Sequence, residues 1–419
     1  MSESDPELVS LMAMPLREVI EPRSTAIRAG DSHGASVSLD QTLGDALLRM
    51  VRDRRHTLAV RDAGRVVATF DSLDLLGRIV THSHLAALQV DRASLDELRT
   101  AARQIEPLVA SLHASGLRVD AIARHVSDCN GRLYARLWSQ VAPPELVEAS
   151  CLIVMGSEGR GEQTLRTDQD NALLLRDGVD PALAEAAALR FNAALIDFGW
   201  PPCDGNVMLT NPLWRQSLAA FRETIRGWLQ GGDAQGVMQL AIFVDAKAVA
   251  GDAGLLADAR VWLDRLLVDN DAWFARFAAA VDLFPEPAGW WSRLATLAGR
   301  EEAPLDLKKH GTFPIVHGVR ALALEHRIAA TPTAERLRQL TLQQQLPAEL
   351  GRDLREVLQF LSELKLQNHL RQRQSAERPS HLVRPSELSL LARTGLRDSL
   401  GVVHQLRQFL HQHYRLDAL

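Results

Sequence analysis

The feature that most constrains this chain is a short segment in which two apolar runs flank a glycine-rich loop and a pair of aspartates. The first run, residues 151–155, is followed at once by Gly156 and Ser157. The second run, residues 172–175, follows Asp168 and Asp170. Short apolar runs bounded by turn-forming residues are typical of buried strands. The segment therefore predicts two strands joined by a loop that carries the polar groups.

The loop after the first predicted strand is rich in glycine. Gly156, Gly159 and Gly161 lie within six residues, and glycine lets the backbone turn sharply and approach a ligand closely. Backbone N–H groups in such a turn suit a triphosphate, and Arg160 adds positive charge. No Gly-Lys-Ser/Thr follows, so the segment is not a Walker motif. We expect a phosphate-binding loop of another kind.

The two aspartates are spaced for a metal site. Side chains two positions apart at a strand share a face, so Asp168 and Asp170 converge while Gln169 points away. A hard divalent cation such as Mg²⁺ between two carboxylates relieves their repulsion. Carboxylates that hold two metal ions are the usual arrangement for in-line attack on a phosphoryl group. The alternative is a solvated Asp-x-Asp in a loop, without a metal.

Composition excludes several classes of protein. The chain has 419 residues, with 46% apolar and 24% charged residues, which is typical of globular domains. Its net charge of -5 gives no electrostatic basis for non-specific nucleic-acid binding. Three scattered cysteines, an acidic N-terminus and the lack of an apolar run of ~20 residues favour a soluble cytoplasmic protein. We expect no membrane partner and no nucleic-acid partner.

The pattern of apolar residues predicts an α/β part followed by an all-α part. We divide the chain into a mixed α/β module (1–92), a helical linker (93–148), an α/β domain (149–285) and a helical domain (286–419). In the first module a helix over 43–52 precedes strands over 56–61 and 65–70. The linker is predicted to hold helices from about residue 94 and over 119–141.

The first module resembles one CBS motif, the repeat named after cystathionine β-synthase. In that resemblance Asp74 takes the place of the ribose-binding acid, whereas Asp71 replaces a threonine and would repel phosphate. CBS motifs work in pairs, and only one convincing copy is present. The resemblance therefore implies a homodimer through this module. The alternative is a plain α/β module without a ligand.

The central segment resembles a known fold and family. Gly156-Ser157 followed by Asp168-x-Asp170 resembles the nucleotidyltransferase fold shared with DNA polymerase β. The longer string over residues 156–172 is similar to the bacterial nucleotidyltransferase family with CBS domains known as domain of unknown function 294. That family is related to the uridylyltransferase of the PII nitrogen-signalling protein and to glutamine synthetase adenylyltransferase. The Gly-Arg-Gly-Glu core, which ends at Glu162, is shared with the PII enzyme.

The resemblance implies further site residues. A hydrophobic strand over 241–244 would end in Asp245, the third metal-binding carboxylate; the alternative is a solvated strand end. Gly156, Ser157, Gly159, Arg160 and Glu162 would bind the nucleotide. That set is completed by a pair in the helical domain, Lys308 and Lys309, which together with Arg320 would face the triphosphate or an acidic substrate. A solvated basic pair is the alternative for these lysines.

Two functions follow from this resemblance. The first is an enzyme that uses Mg²⁺ or Mn²⁺ to move a nucleoside monophosphate from ATP or UTP to a hydroxyl of a protein or small molecule, with release of pyrophosphate. The helical C-terminal domain, a four-helix bundle, would select the acceptor. The second is a catalytically silent nucleotide-binding protein with a regulatory, signalling role.

Overall fold

The computed structural model of the chain describes two units, Met1–Arg92 and Ala93–Leu419. Within them the described residues are 13–19, 35–53, 55, 57–71, 90, 93–231, 234–268, 270–285, 304–375 and 379–418. The first unit has its own small apolar core, and the second has a larger one.

The first unit is a small α/β module. Its elements are α1 (Leu16–Val19), β1 (Ser36–Ser38), α2 (Leu43–Asp53), β2 (Thr57–Asp62) and β3 (Arg65–Asp71). Strand β2 is central, parallel to β1 and antiparallel to β3. The turn between β2 and β3 has positive φ at Ala63 and Gly64, which suits the right-handed twist of a hairpin. The predicted helix and hairpin are confirmed.

The nucleotide-sensing features predicted for this unit fall largely outside the described residues. Asp74 and the rest of the helix expected over 71–80 are among them, apart from the backbone of Asp71 at the end of β3. The CBS resemblance and the pairing between chains therefore stay predictions.

The second unit begins with three helices. They are α3 (Leu95–Ala114), α4 (Val119–Val141) and α5 (Pro144–Glu148). Ser94 and Glu97 form a capping box at the start of α3, in which each side chain accepts a hydrogen bond from the other residue's backbone. The helical character predicted for residues 94–148 is confirmed.

A four-stranded sheet follows, with helices around it. Its elements in chain order are β4 (Ser150–Val154), the single turn α6 (Gly156–Gly159), β5 (Asn171–Leu175), α7 (Pro181–Phe198), β6 (Arg215–Ser217), α8 (Leu218–Gln230), α9 (Ala234–Val244), β7 (Lys247–Gly251) and α10 (Ala253–Leu266). The strand order is β6-β5-β4-β7, and β4 is antiparallel to both β5 and β7. Every residue of β4 and β5 is buried, as their apolar sequences predict.

One predicted strand is a helix. The apolar run over 241–244 forms the last turn of α9, and the strand begins only at Lys247. A short apolar run does not distinguish a strand from a buried helix. The buried positions of α9 include Gly236, Leu240 and Phe243, spaced by four and three residues, which is the helical period.

The C-terminal part is helical, as predicted. It contains α11 (Asp271–Ala279), a short ribbon of β8 (Leu305–Asp306) with β9 (Leu382–Val383), a π-helical turn (Lys308–Thr312), and the helices α12 (Phe313–Glu325), α13 (Thr333–Leu342), α14 (Ala348–Gln374) and α15 (Leu390–Tyr414). The apolar core of this bundle is continuous with that of the sheet. Among the described residues, no helix combines the length and apolar character needed to cross a bilayer.

Candidate functional site

The glycine loop and the second aspartate lie against each other. Val154 pairs with Asn171 at the adjacent ends of β4 and β5, and the Met155 N–H donates to the Asp170 carbonyl over 2.8 Å. Gly156 has a φ of +57°, and a Cβ on it would lie 2.4 Å from a carboxylate oxygen of Asp170. A larger residue would displace this carboxylate. Gly156 thus lets the acid pack directly on the loop.

The carboxylates of Asp168 and Asp170 come together at this edge. Each offers an oxygen that, with the sulfur of Cys203, forms a group of ligand atoms all within 4.8 Å of one another. Asp168 is exposed and Asp170 is partly buried, whereas Gln169 between them is buried and donates to the Trp200 carbonyl over 3.0 Å. Carboxylate oxygens at this separation can hold a hard divalent cation.

The electrostatics of Asp170 fit a site for positive charge. Burial and the charge of Asp168 raise the pKa of Asp170 to about 6, against the opposing effects of a hydrogen bond with Cys203 and the charge of Lys308. Burial also raises the pKa of the Cys203 thiol to about 12, so the thiol stays protonated and is a hydrogen-bond donor to Asp170. Cys203 lies 33 residues beyond Asp170, in a loop whose Cys-x-Gly-x-Val-Met pattern over residues 203–208 resembles the family but does not indicate this contact.

Arg160 and Glu162 do not lie open beside the aspartates. Arg160 donates to Glu162 over 2.6 Å and to Asp245 over 2.7 Å, and its side chain is mostly buried. The other oxygen of Glu162 accepts the backbone N–H of Thr333 from the C-terminal helices. These two residues therefore connect the glycine loop to the helical bundle.

Asp245 is at the centre of a buried arginine network. It is fully buried, and its two oxygens accept hydrogen bonds from Arg160, Arg320 and Arg336 at distances between 2.5 and 3.2 Å. Burial by itself would raise the pKa of Asp245, but the three guanidinium charges hold it well below its usual range. Arg336 also binds the Val244 carbonyl.

The structure does not bring Asp245 together with the acid pair. The group of potential metal ligands contains Asp168, Asp170 and Cys203, and Asp245 is outside it. The physical reason is that α9 ends at Val244, so Asp245 lies in the turn before β7 with both oxygens bound to arginines. Asp245, expected at a strand end, thus pairs with arginines from the glycine loop and from the C-terminal helices. Sequence reasoning missed Arg336, and it expected Arg320 to face the triphosphate or an acidic substrate rather than to pair with Asp245.

The edge strand β7 contributes a lysine rather than an acid at this end of the sheet. Lys247 pairs with Val154, beside the start of the glycine loop. Near it lies Glu158, which is buried and accepts a hydrogen bond from Asn130 over 3.0 Å. Burial raises the pKa of Glu158 to about 7, against the opposing effects of Asn130 and the Lys247 charge.

The two predicted lysines point to different surroundings. Both backbone N–H groups donate to Asp306, which stabilises the π-helical turn. Lys309 is exposed, pairs with Asp306 at 3.9 Å and lies over the ring of Phe284. Lys308 instead lies close enough to Asp170 to lower its pKa. Only Lys308 therefore faces the acid pair.

Gly159 and Ser157 complete the loop. A Cβ on Gly159 would lie 2.1 Å from the Asp245 carbonyl oxygen, so the loop and the turn before β7 touch backbone to backbone. The hydroxyl of Thr331 donates to the Gly159 carbonyl over 2.9 Å. Ser157 is partly exposed, and its carbonyl accepts the Glu162 N–H. The predicted phosphate loop is thus held from both sides.

The loop between α7 and β6 is held mainly by packing. Trp214 is buried against the ring of Trp228, and Arg215 donates to the backbone carbonyls of Leu209 and Thr210. These contacts fix the fold of the loop that also carries Cys203.

Comparison with known families matches both halves of the second unit. Residues 103–235 match the family model described as Putative nucleotidyltransferase DUF294. Residues 271–414 match the model described as Putative nucleotidyltransferase substrate binding domain. No curated protein matches the chain. Two parts of the second unit are thus similar to domains described as a nucleotidyltransferase and as its substrate binding domain.

Proposed function

We propose that this protein transfers a nucleoside monophosphate from a nucleoside triphosphate to a hydroxyl group, with release of pyrophosphate. One observation carries the proposal: the carboxylates of Asp168 and Asp170 converge directly against the loop at Gly156. A sensor has little use for two carboxylates facing a phosphate, because they repel it unless a cation is present. The family match supports the same class of reaction.

Asp168 and Asp170 are the residues that would hold Mg²⁺ or Mn²⁺. Their oxygens are hard ligands, and a cation between them would relieve the repulsion of two carboxylates whose oxygens lie within 4.8 Å of each other. When bound, the metal would neutralise charge on the phosphates and make the attacking hydroxyl more acidic. Cys203 keeps Asp170 oriented through its hydrogen bond.

The remaining residues would bind and orient the nucleotide. The backbone at Gly156 and Ser157 would approach the phosphates, and Lys308 would add positive charge next to the acid pair. Catalysis would then consist mainly of positioning and charge neutralisation. Arg160 and Glu162 act as positioning residues, because both are engaged between the loop and the bundle. ATP and UTP are the candidate donors.

A second candidate is a protein that binds the nucleotide without turnover. Asp245 favours it, because the potential third carboxylate is bound to three arginines, and among the described residues the candidate metal-binding group holds two carboxylates, Asp168 and Asp170. Under this alternative the metal and the nucleotide bind, but no pyrophosphate is released.

The test is transfer from α-labelled nucleoside triphosphates with Mg²⁺ or Mn²⁺, with cell lysate as the source of acceptors. We expect pyrophosphate release and a labelled product with wild type, and neither with the Asp168→Asn/Asp170→Asn double variant. Asp252→Asn is the matched control, since Asp252 is an exposed acid at the opposite end of β7, paired with Arg176. Metal-dependent nucleotide binding without label transfer to any acceptor would support the second candidate.

A further inference from the structure

A group of basic side chains from the C-terminal helices borders the acid pair. It consists of Lys308, Lys365, His369 and His381, which we call the basic cluster. Lys365 and His369 are four residues apart on α14 and so share a face of that helix. Only Lys308 was expected from the sequence, because the other three carry no motif.

The cluster is held together by backbone contacts. The Leu307 N–H donates to the His381 carbonyl over 2.9 Å, which fixes His381 beside the π-helical turn that carries Lys308. Asn368 on α14 donates to the carbonyls on both sides of His381. The rings of His369 and His381 are 5.3 Å apart. Three chain segments therefore converge at this point.

The imidazoles contain polar atoms without partners. His369 is buried, and its Nε2 has no hydrogen-bond partner; the same is true of the buried Nδ1 of His381. Burial lowers the pKa of His369 to about 3 and of His381 to about 4, and the nearby lysine charges act in the same direction. Both rings are therefore neutral and carry one N–H each. The N–H of His369 is engaged by the Ser380 backbone, whereas His381 can present its N–H at Nδ1 to an acceptor. Buried polar atoms without partners are rare and call for an explanation.

The lysines lack counter-charges. Among the described residues, neither Lys308 nor Lys365 has a carboxylate within ion-pair distance. Two neighbouring acids are already engaged: Glu162 binds Arg160 and a backbone N–H, and Asp306 binds two backbone N–H groups and Lys309. The acid pair acts on Lys308 by charge but forms no ion pair with it. Burial lowers the pKa of Lys365 to about 8, and the charges of Lys308 and Arg160 contribute to the decrease. Lys308 is exposed, whereas Lys365 is partly buried, so it is the charge of Lys365 that is costly without an anion.

We infer that the basic cluster is a binding site for a phosphate group of the reactants, formed by the C-terminal helices next to the acid pair. Two ammonium groups and the neutral N–H donor of His381 are groups that bind a phosphate oxyanion. A cation at Asp168 and Asp170 would remove the negative charge that the lysines now face, so metal and phosphate should strengthen each other's binding. The assignment of this phosphate to the transfer reaction rests on the proposed function.

Tripolyphosphate is the probe for the cluster itself, titrated calorimetrically into the full chain without metal. We expect binding by wild type, and affinity weakened roughly tenfold or more in Lys365→Gln and in Lys308→Gln. Lys309→Gln is the matched control, because it removes the same charge from an exposed residue already paired with Asp306. Thermal unfolding checks that each variant folds. No binding by wild type, or equal affinity in wild type and both cluster variants, would overturn the inference.

The acid-pair variant separates this inference from the proposed function. Without metal, Asp168→Asn/Asp170→Asn should bind tripolyphosphate as tightly as wild type or more tightly, because two like charges have been removed. Retained tripolyphosphate binding in a protein that never transfers a nucleotide would contradict the proposed function alone. If wild type transfers a nucleotide but Lys365→Gln binds tripolyphosphate as tightly as wild type, the phosphate site at the cluster alone is contradicted.

Competition identifies the source of the phosphate. Inorganic phosphate is bound first to wild type, and a nucleoside triphosphate with Mg²⁺ is then added. Displacement of the inorganic phosphate assigns the cluster to the phosphate tail of the nucleotide. Simultaneous binding of both assigns it to a phosphorylated acceptor. Inorganic phosphate that binds equally well to Lys365→Gln contradicts both assignments.

Discussion

At the scale of single residues, the chain separates its acids by environment. Asp168 is exposed and Asp170 is partly buried just before β5, whereas Asp245 is fully buried and bound to arginines. The convergence of Asp168 and Asp170 follows from their two-residue spacing. The partners of Asp245 lie 75, 85 and 91 residues away in sequence, so no local pattern indicates them. Short-range geometry was therefore predictable, and the long-range ion pairs were not.

The arginine network gives the first prediction. Asp245→Asn removes the charge that compensates three buried guanidinium groups and should destabilise the fold by about 3–5 kcal/mol. Urea unfolding at neutral pH measures this loss. Asp252→Asn should leave the unfolding midpoint near that of wild type, because its ion pair with Arg176 is exposed and asparagine can still cap α10. Equal midpoints for the two variants would show that the network is not a stabilising centre.

Glu158 gives a pH-dependent prediction. Its pKa rises on folding from about 4.5 to about 7, so the folded protein binds a proton that the unfolded chain releases between these values. The stability of wild type should therefore fall as the pH rises through this window. Glu158→Gln keeps the hydrogen bond with Asn130 without the charge.

Urea unfolding of both proteins between pH 4 and pH 8 measures the effect. The free energy of unfolding of Glu158→Gln should increase relative to that of wild type by up to about 3 kcal/mol as the pH rises through the window. This difference should level off above pH 7. A difference between the two proteins that does not change with pH would contradict the buried-acid account.

At the scale of elements, the apolar runs predicted β4 and β5 correctly but gave the wrong structure for residues 241–244. The runs that form β4 and β5 and the run over 241–244 are all short and apolar. They differ in which residues are buried: every residue of the strands, but residues three and four apart in α9. The consequence is functional, because a helix over α9 puts Asp245 in a turn before β7 rather than at a strand end. The backbone of that turn packs on Gly159.

The contact at Gly159 gives an element-scale prediction. Gly159→Ala would push a methyl group against the Asp245 and Val154 carbonyls and should cost about 1–3 kcal/mol while weakening nucleotide binding. Gly227→Ala is the control, since Gly227 is an exposed position of α8 with open space around it. It should stabilise the protein by up to about 1 kcal/mol. Chemical denaturation measures the stability of both variants against wild type. Equal stabilisation of Gly159→Ala and Gly227→Ala would contradict the close contact at Gly159.

At the scale of the whole molecule, every residue of the candidate site belongs to the second unit. The sheet and the C-terminal bundle share one apolar core. Thr331 and Thr333 of the C-terminal part also donate hydrogen bonds to the glycine loop, at Gly159 and Glu162. The order of an α/β part and a helical part was predictable from apolar periodicity. The extent of the shared core was not, because it depends on contacts between segments far apart in sequence.

This division predicts that residues 93–419, produced alone, keep metal-dependent nucleotide binding. All the described contacts of Asp168, Asp170 and Lys308 fall within this stretch. Calorimetry on the truncated and the full chain compares their affinities directly. A truncated protein that is folded by circular dichroism but does not bind would show that the first unit contributes to the site.

The most direct test of the central claim is calorimetric titration of ATP, UTP, GTP and CTP, with and without Mg²⁺, into wild type and Asp168→Asn/Asp170→Asn. At least one nucleotide should bind wild type in a metal-dependent manner. In the double variant, Mg²⁺ should no longer strengthen nucleotide binding. Wild type that binds none of the four nucleotides with Mg²⁺, or a double variant that keeps the full effect of Mg²⁺, would contradict the site at Asp168 and Asp170.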